Sequence, residues 1–416
     1  MPTTTLRRCL AGVAAAGALV ATAAAPALAV EDPRLAVYFP DTTIAAGGPG
    51  MVSAPILYAI PGSHVLEGVT VHYEFHDLAG VVEVAEDSPV GFCTAPTAGE
   101  LHCALPWELD LDEHGTVGTF GLLLTATAEA AIGAEGQLRV TFAADGFDPV
   151  SHSARIRVGE AVDLATDGES TEVSAAPGAA FTAPLTVRNA GETTIQGAHA
   201  VFFNDYAIRA TERFSNCTYT GDQLRSCRFD QPLAAGHGYT AELPYTLRAD
   251  TWAPGHEYGE ISWMTGAEFE DYVAYLTSQG ADLGEPGDGG VLTLAEVEGF
   301  QAQDAQADTD PYNNSASVIV VVTGENRADL AALGDTVAGA AGELVTVTPG
   351  LVNEGPAVVD QRRSGSPVTN IRVTVPTGTT AVAVPDNCVP VDADGGPNGD
   401  LAGEPGARTY QCYSTP

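Results

Sequence analysis

At 416 residues the chain is long enough for two to four domains, each with its own core. Its 54 acidic residues face 17 basic ones, all arginine, and the formal charge of −37 speaks against nucleic acid and anionic membranes as partners. With 46 Gly, 27 Pro and only 3 Trp, and with short Val/Ile/Leu/Thr runs between turn residues, the composition points to an all-β protein.

Residues 1–29 read as an export signal. Arg7 and Arg8 precede an apolar run from Leu10 to Ala25, and Ala27-Leu28-Ala29 supplies a cleavage site before Val30. Cys9 precedes the apolar run, so it is not placed for lipid attachment. No later stretch is apolar for long enough to span a bilayer as a helix. The expectation is a secreted protein, extracellular or cell-wall associated. The other six cysteines fall as Cys93/Cys103, Cys217/Cys227 and Cys388/Cys412, and the first two pairs share one spacing. That repetition selects a local bridge in each of three units, and a loop of the shared spacing is worth roughly 2.5–3 kcal/mol when unstrained.

The first unit spans residues 30–160. Leu35 to Phe39 and Ile56 to Ile60 read as strands. From Val69 onward Val69, Val71, Tyr73 and Phe75 alternate with Thr70, His72, Glu74 and His76. Gly118–Ala128 and Gly136–Phe142 add strands, and the turn Asp148-Pro149 leads into a closing strand at Arg155–Val158. About seven short strands with one-sided alternation predict an immunoglobulin-like β-sandwich. The second unit, 161–325, repeats this order and closes with Asp310-Pro311, three residues, then Ser315-Ala316 and a β-branched strand. It carries an insertion over about 252–300. Within it Phe269, Tyr272, Val273 and Leu276 recur at helical spacing and Gly280 is placed as a cap, so a short helix over 267–279 on the sandwich edge is expected. Val291–Leu294 reads as a returning strand. The third unit, 326–416, opens with Asp329-Leu330 and continues with strands at Leu344–Val347 and Ile371–Val375, but is expected to lack its last strands.

Asn189-Ala190-Gly191, Asn353-Glu354-Gly355-Pro356, the Val373-Thr374-Val375-Pro376-Thr377-Gly378 strand and the Asp310–Ala316 closing motif give the chain a likeness. It resembles the immunoglobulin-like conserved-repeat and CARDB-type domains found in tandem on secreted and wall-associated bacterial proteins. The Asn-x-Gly step is read as a left-handed turn reversing a core strand. The resemblance implies adhesion, spacing or extracellular assembly rather than catalysis.

No nucleophile elbow, metalloprotease helix, phosphate loop or dinucleotide fingerprint is present, and no catalytic residue is assigned. His72, Glu74 and His76 on one strand face read as a solvated polar face, with a zinc site as the rarer alternative. Asp392, Asp394, Asn398 and Asp400 form a weak calcium candidate in a Gly-rich loop that lacks the terminal bidentate Glu; otherwise no cofactor is expected. Asp308, Asp310, Asn313 and Asn314 fit a hairpin turn better than a cation site. The carboxylate pairs Asp110/Asp112 and Glu268/Glu270 read as exposed charge. Together these features point to a non-enzymatic exported protein whose tandem domains space or present surface, with an unknown extracellular protein or glycan as partner. The alternative is a glycan- or protein-binding module using Trp252, Trp263, Tyr272 and Tyr275 of the insertion.

Overall fold

The computed structural model describes residues 33–87, 92–112, 115–116, 119–166, 170–295, 306–310, 312–359 and 369–414. The expected export signal at residues 1–29 lies outside them. Val69, Val71 and Tyr73 are fully buried, as their alternation requires, and they anchor one apolar core that runs from Leu35 to Val158. A second core runs from Val162 to Val322. The chain is all-β, with immunoglobulin-like sandwiches in tandem and, among the described residues, one short helix inserted in the second.

The two sandwiches share one strand order. In the first, the main sheet runs Thr42–Ala45, Val150–Val162, Glu135–Ala143, Thr70–Glu74, Glu100–Ala104, Cys93–Thr94. In the second it runs Thr171–Ala175, Ser315–Asn326, Ala253–Met264, Ala198–Asn204, Gln223–Phe229, Cys217–Thr220. In both sheets the opening strand pairs in parallel with the closing strand, and the remaining pairs are antiparallel. The repeated Asp-Pro motif thus marks the same strand in each unit. Among the described residues the third region has counterparts of the Leu164–Ala165/Ala180–Asn189 pair in Leu330–Leu333 and Gly350–Asn353. A separate sheet joins Asn370–Thr374, Thr409–Tyr413 and Cys388–Pro390.

Each disulfide staples a hairpin at directly opposed residues: Cys93 with Cys103, Cys217 with Cys227, and Cys388 with Cys412. The pairing follows the register, because side chains opposite one another on one face lie within reach of a single bridge.

Several sequence expectations need correction. The strand carrying His72 stops at Glu74, and His76 opens a 3-10 turn over His76–Leu78. Val291–Leu294 is not a strand, although Leu292 and Leu294 are buried in the second core. Leu344–Val347 is also irregular and exposed, because no neighbouring strand among the described residues supplies it with a ladder. The Asn-x-Gly step is not a left-handed turn. Asn189 Oδ1 accepts from Gly191 N and Asn353 Oδ1 from Gly355 N, each at 3.1 Å. Glycine is needed there for close approach: a Cβ on Gly355 would lie 2.4 Å from the Arg327 carbonyl oxygen.

Candidate functional site: the junction of the two sandwiches

The closing strand of the first sandwich, Val150–Val162, runs on into the second. Val158 is buried in the first core and Val162 in the second, so one strand feeds both. Ile156–Gly159 pairs in parallel with Thr42–Ala45, and Glu160–Val162 pairs in parallel with Gln306–Asp308 from the second unit. Gly159 permits that approach, since a Cβ there would sit 2.9 Å from Ala307 N and from the Gln306 carbonyl carbon. The buried Gln306 side chain is fully used: its Nε2 donates to Glu160 Oε2 and to the Thr194 carbonyl, both at 3.0 Å, and its Oε1 accepts from Gln196 N at 2.7 Å.

The inserted helix, Gly266–Ser278, packs on the Thr42–Ala45 and Gln306–Asp308 strands and reaches the shared strand through Arg155 and Arg157. Thr265 caps its N-terminus in a reciprocal capping box with Glu268. The Thr265 hydroxyl lies 2.9 Å from both Glu268 Oε2 and the Gln306 carbonyl oxygen, and Glu268 Oε1 accepts from Asp308 N at 2.6 Å. At the other end Gly280, with φ of +68°, lets its own N–H reach Thr277 O and the Ala281 N–H reach Leu276 O. This is a Schellman cap.

The face the helix buries is polar. Phe269, Tyr272 and Leu276 are only half-buried and Val273 is exposed, whereas Ala267 and Asp271 are buried. Asp271 Oδ2 accepts from the Thr43 hydroxyl at 2.5 Å and Oδ1 from Arg155 Nη2 at 3.1 Å, with Arg157 Nη2 at 3.6 Å. Arg157 also donates from Nη2 to the Ala267 carbonyl at 3.1 Å and faces Glu270 at 3.4 Å. The outer edge adds Tyr58, whose hydroxyl donates to Gln279 Oε1 at 3.1 Å, and the Tyr38–Tyr275 ring pair at 5.7 Å.

Carboxylates set the electrostatics here. Burial raises Asp308 to about 7, with the charges of Glu268 and Asp163 adding to it. Burial also raises Glu268, against hydrogen bonds from the Asp308 and Thr265 backbone. It raises Asp271 as well, against Thr43, Arg157 and Arg155. Glu268 is therefore not the exposed charge its sequence suggested but the acceptor that joins the helix N-terminus to the Gln306–Asp308 strand.

The structure does not bring the aromatic quartet together. Trp263 is fully buried in the second core, with Nε1 donating to the Thr186 carbonyl at 2.9 Å. Trp252 precedes the Ala253–Met264 strand at its far end, roughly 35 Å away along extended backbone, and packs near Arg327. On the helix, Tyr275 pairs with Tyr38 of the first sandwich, whereas Tyr272 lies near Arg225 of the second. In the acidic loop, Asp392 is engaged by Asn398 Nδ2 at 3.2 Å and Asp394 Oδ1 accepts from Gly396 N, while Asp400 sits in a 3-10 turn. Asp308, Asp310 and Asn314 make turn contacts: Asp310 N donates to Asp308 Oδ1 at 2.8 Å, and Asn314 Nδ2 to the Trp263 carbonyl at 2.7 Å. Asn313 Nδ2 reaches Asp163 at 3.2 Å. His72 and His76 do converge, but on Glu100 rather than Glu74. Glu100 and its neighbour His102 went unread because cross-strand register is not visible in one sequence.

No family model matches the chain, and no curated protein matches it. Among solved structures it is similar to Escherichia coli alpha-2-macroglobulin in its native conformation, at 10% identity over 74% of this chain and 18% of that one, with a TM-score of 0.18. It is likewise similar to a Salmonella alpha-2-macroglobulin mutant, at 11% identity over 73% of this chain and 17% of that one, with a TM-score of 0.20. The chain thus spans less than a fifth of the length of either protein.

Proposed function

We propose that this chain is a non-enzymatic exported spacer of the bacterial cell envelope, whose tandem sandwiches hold a presented surface at a set distance. The observation that carries this reading is the shared strand: Val150–Val162 enters both cores and is gripped by the Gln306–Asp308 strand and the inserted helix. A linker that only connected two modules would need neither the capping box on Gln306 nor the buried Asp271 contacts. Inter-domain motion is the usual expectation where an interface is small and polar, and here a covalently continuous strand opposes it. Three local disulfides support residence in an oxidising compartment. The resemblance to CARDB-type repeats supports the same place and task.

Solution scattering on the mature, disulfide-intact chain tests this. The profile should be reproduced by one relative orientation of the two sandwiches, and Gly159→Val combined with Asp271→Ala should broaden it. A wild-type profile that requires a spread of inter-sandwich angles would sink the spacer reading.

A further inference from the structure

We propose that the exposed sheet face formed by His72, His76, Glu100 and His102 takes up one divalent transition-metal ion of the zinc class. His72 and His102 stand directly opposite each other on neighbouring strands, with ring centroids 6.0 Å apart. Glu100 lies two residues from His102 on the same face, and its carboxylate reaches between two imidazoles. His72 Nε2 is 3.8 Å from Oε2, and His76 Nε2 is 3.4 Å from Oε1.

His76 is delivered by the 3-10 turn that follows its strand. Gly99 makes room for the ring: its backbone has φ of +84°, and a Cβ there would lie 2.4 Å from His76 Nδ1. The ring therefore abuts the main chain on its Nδ1 side and offers Nε2 to Glu100. Glu74 faces Arg139 at 3.7 Å, outside this set.

Two donors on one tetrahedral zinc lie roughly 3.3 Å apart, given bonds of about 2.0–2.1 Å. The histidine–glutamate separations are a few tenths of an ångström from that value. Among the described residues no group of three such side chains already converges on one point. Uptake thus requires the half-exposed His72, the exposed His76 and His102 and the Glu100 carboxylate to rotate inward. The sheet beneath them need not move, because the Cys93–Cys103 bridge fixes the strand next to His102. Three imidazoles and one carboxylate suit zinc, nickel or copper rather than calcium or magnesium, and the acidic chain favours cation approach.

The test uses the mature, disulfide-intact chain, stripped with chelator and titrated calorimetrically with zinc chloride at pH 7.5. One ion per chain is expected, with affinity falling at least roughly tenfold at pH 5.5 as imidazoles protonate. His72→Ala and His102→Ala should each weaken binding by roughly 10–100-fold, with the circular dichroism spectrum unchanged. Asp392→Asn, in the distant acidic loop, should leave affinity as it is, and excess calcium should not compete. Zinc uptake that is non-saturable, or equal in the wild type and the His72→Ala/His102→Ala double variant, would overturn the proposal.

Discussion

The Thr43 hydroxyl donates to Asp271 across the junction at 2.5 Å, while the same oxygen accepts from Arg157 Nε at 3.1 Å and Nη2 at 3.0 Å. A strand of the first sandwich and a helix of the second are thereby joined through one buried hydroxyl. The carboxylate of Asp271 is buried and faces both arginines, and its loss leaves Arg155 with Asp41 and Arg157 with the exposed Glu270 as counter-charges.

Asp271→Ala should therefore destabilise the junction by about 3 kcal/mol, the scale for breaking one side of a buried pair. Differential scanning calorimetry should show the two sandwiches melting together in the wild type and separating into two transitions in the variant. An unchanged single transition would mean that the helix contributes nothing to the coupling.

Asp308 gives the junction a pH dependence of definite sign. With its folded pKa raised to about 7, the native chain holds a proton that the unfolded chain releases near pH 4. Protons then favour the native state between those values, so this group's effect is a loss of stability as pH rises from about 4 to 7. Glu268 shifts in the same direction. Asp308→Asn should gain on the wild type by about 2–3 kcal/mol between pH 5 and pH 8. Urea unfolding of both proteins at the two pH values measures the difference, and an equal gap at both would refute the assignment.

Gly159→Val tests close approach rather than charge. The new side chain would enter the space held by Ala307 and Gln306, forcing the Gln306–Asp308 strand off its partner. A cost of about 1–3 kcal/mol is expected. Hydrogen exchange should speed up at the amides of residues 306–308 while the core of the first sandwich stays protected.

Trp252, just before the Ala253–Met264 strand, and Trp263, inside it, should part company. Trp263→Ala removes a fully buried indole and its hydrogen bond to Thr186, for a loss of about 3–5 kcal/mol. Trp252 is 42% exposed, and its replacement by Ala should cost under about 1 kcal/mol. Chemical denaturation reads both values.

Much of the architecture was legible along the chain. Alternation at Val69–Tyr73 identified a core strand, and the equal cysteine spacings identified matching hairpins, because both signals are local. The capping residue Gly280 was legible for the same reason. What stayed hidden depends on partners far away in sequence. The helical spacing of Phe269, Tyr272, Val273 and Leu276 showed the helix, but the surface it meets carries Thr43, Arg155 and Arg157, and so Asp271 goes inward. Glu100 and His102 could be paired with His72 only once strand register was known. The exposed state of Leu344–Val347 likewise depends on which strands lie beside it, which propensity alone does not state.

Both sandwiches pair their opening strand in parallel with their closing strand, Thr42–Ala45 on Val150–Val162 and Thr171–Ala175 on Ser315–Asn326. Tension applied at the two ends of either unit pulls such strands past one another lengthwise. Their evenly spaced backbone hydrogen bonds then bear the load together and must break at once, rather than peeling open one by one. A chain built this way resists stretching along its own length.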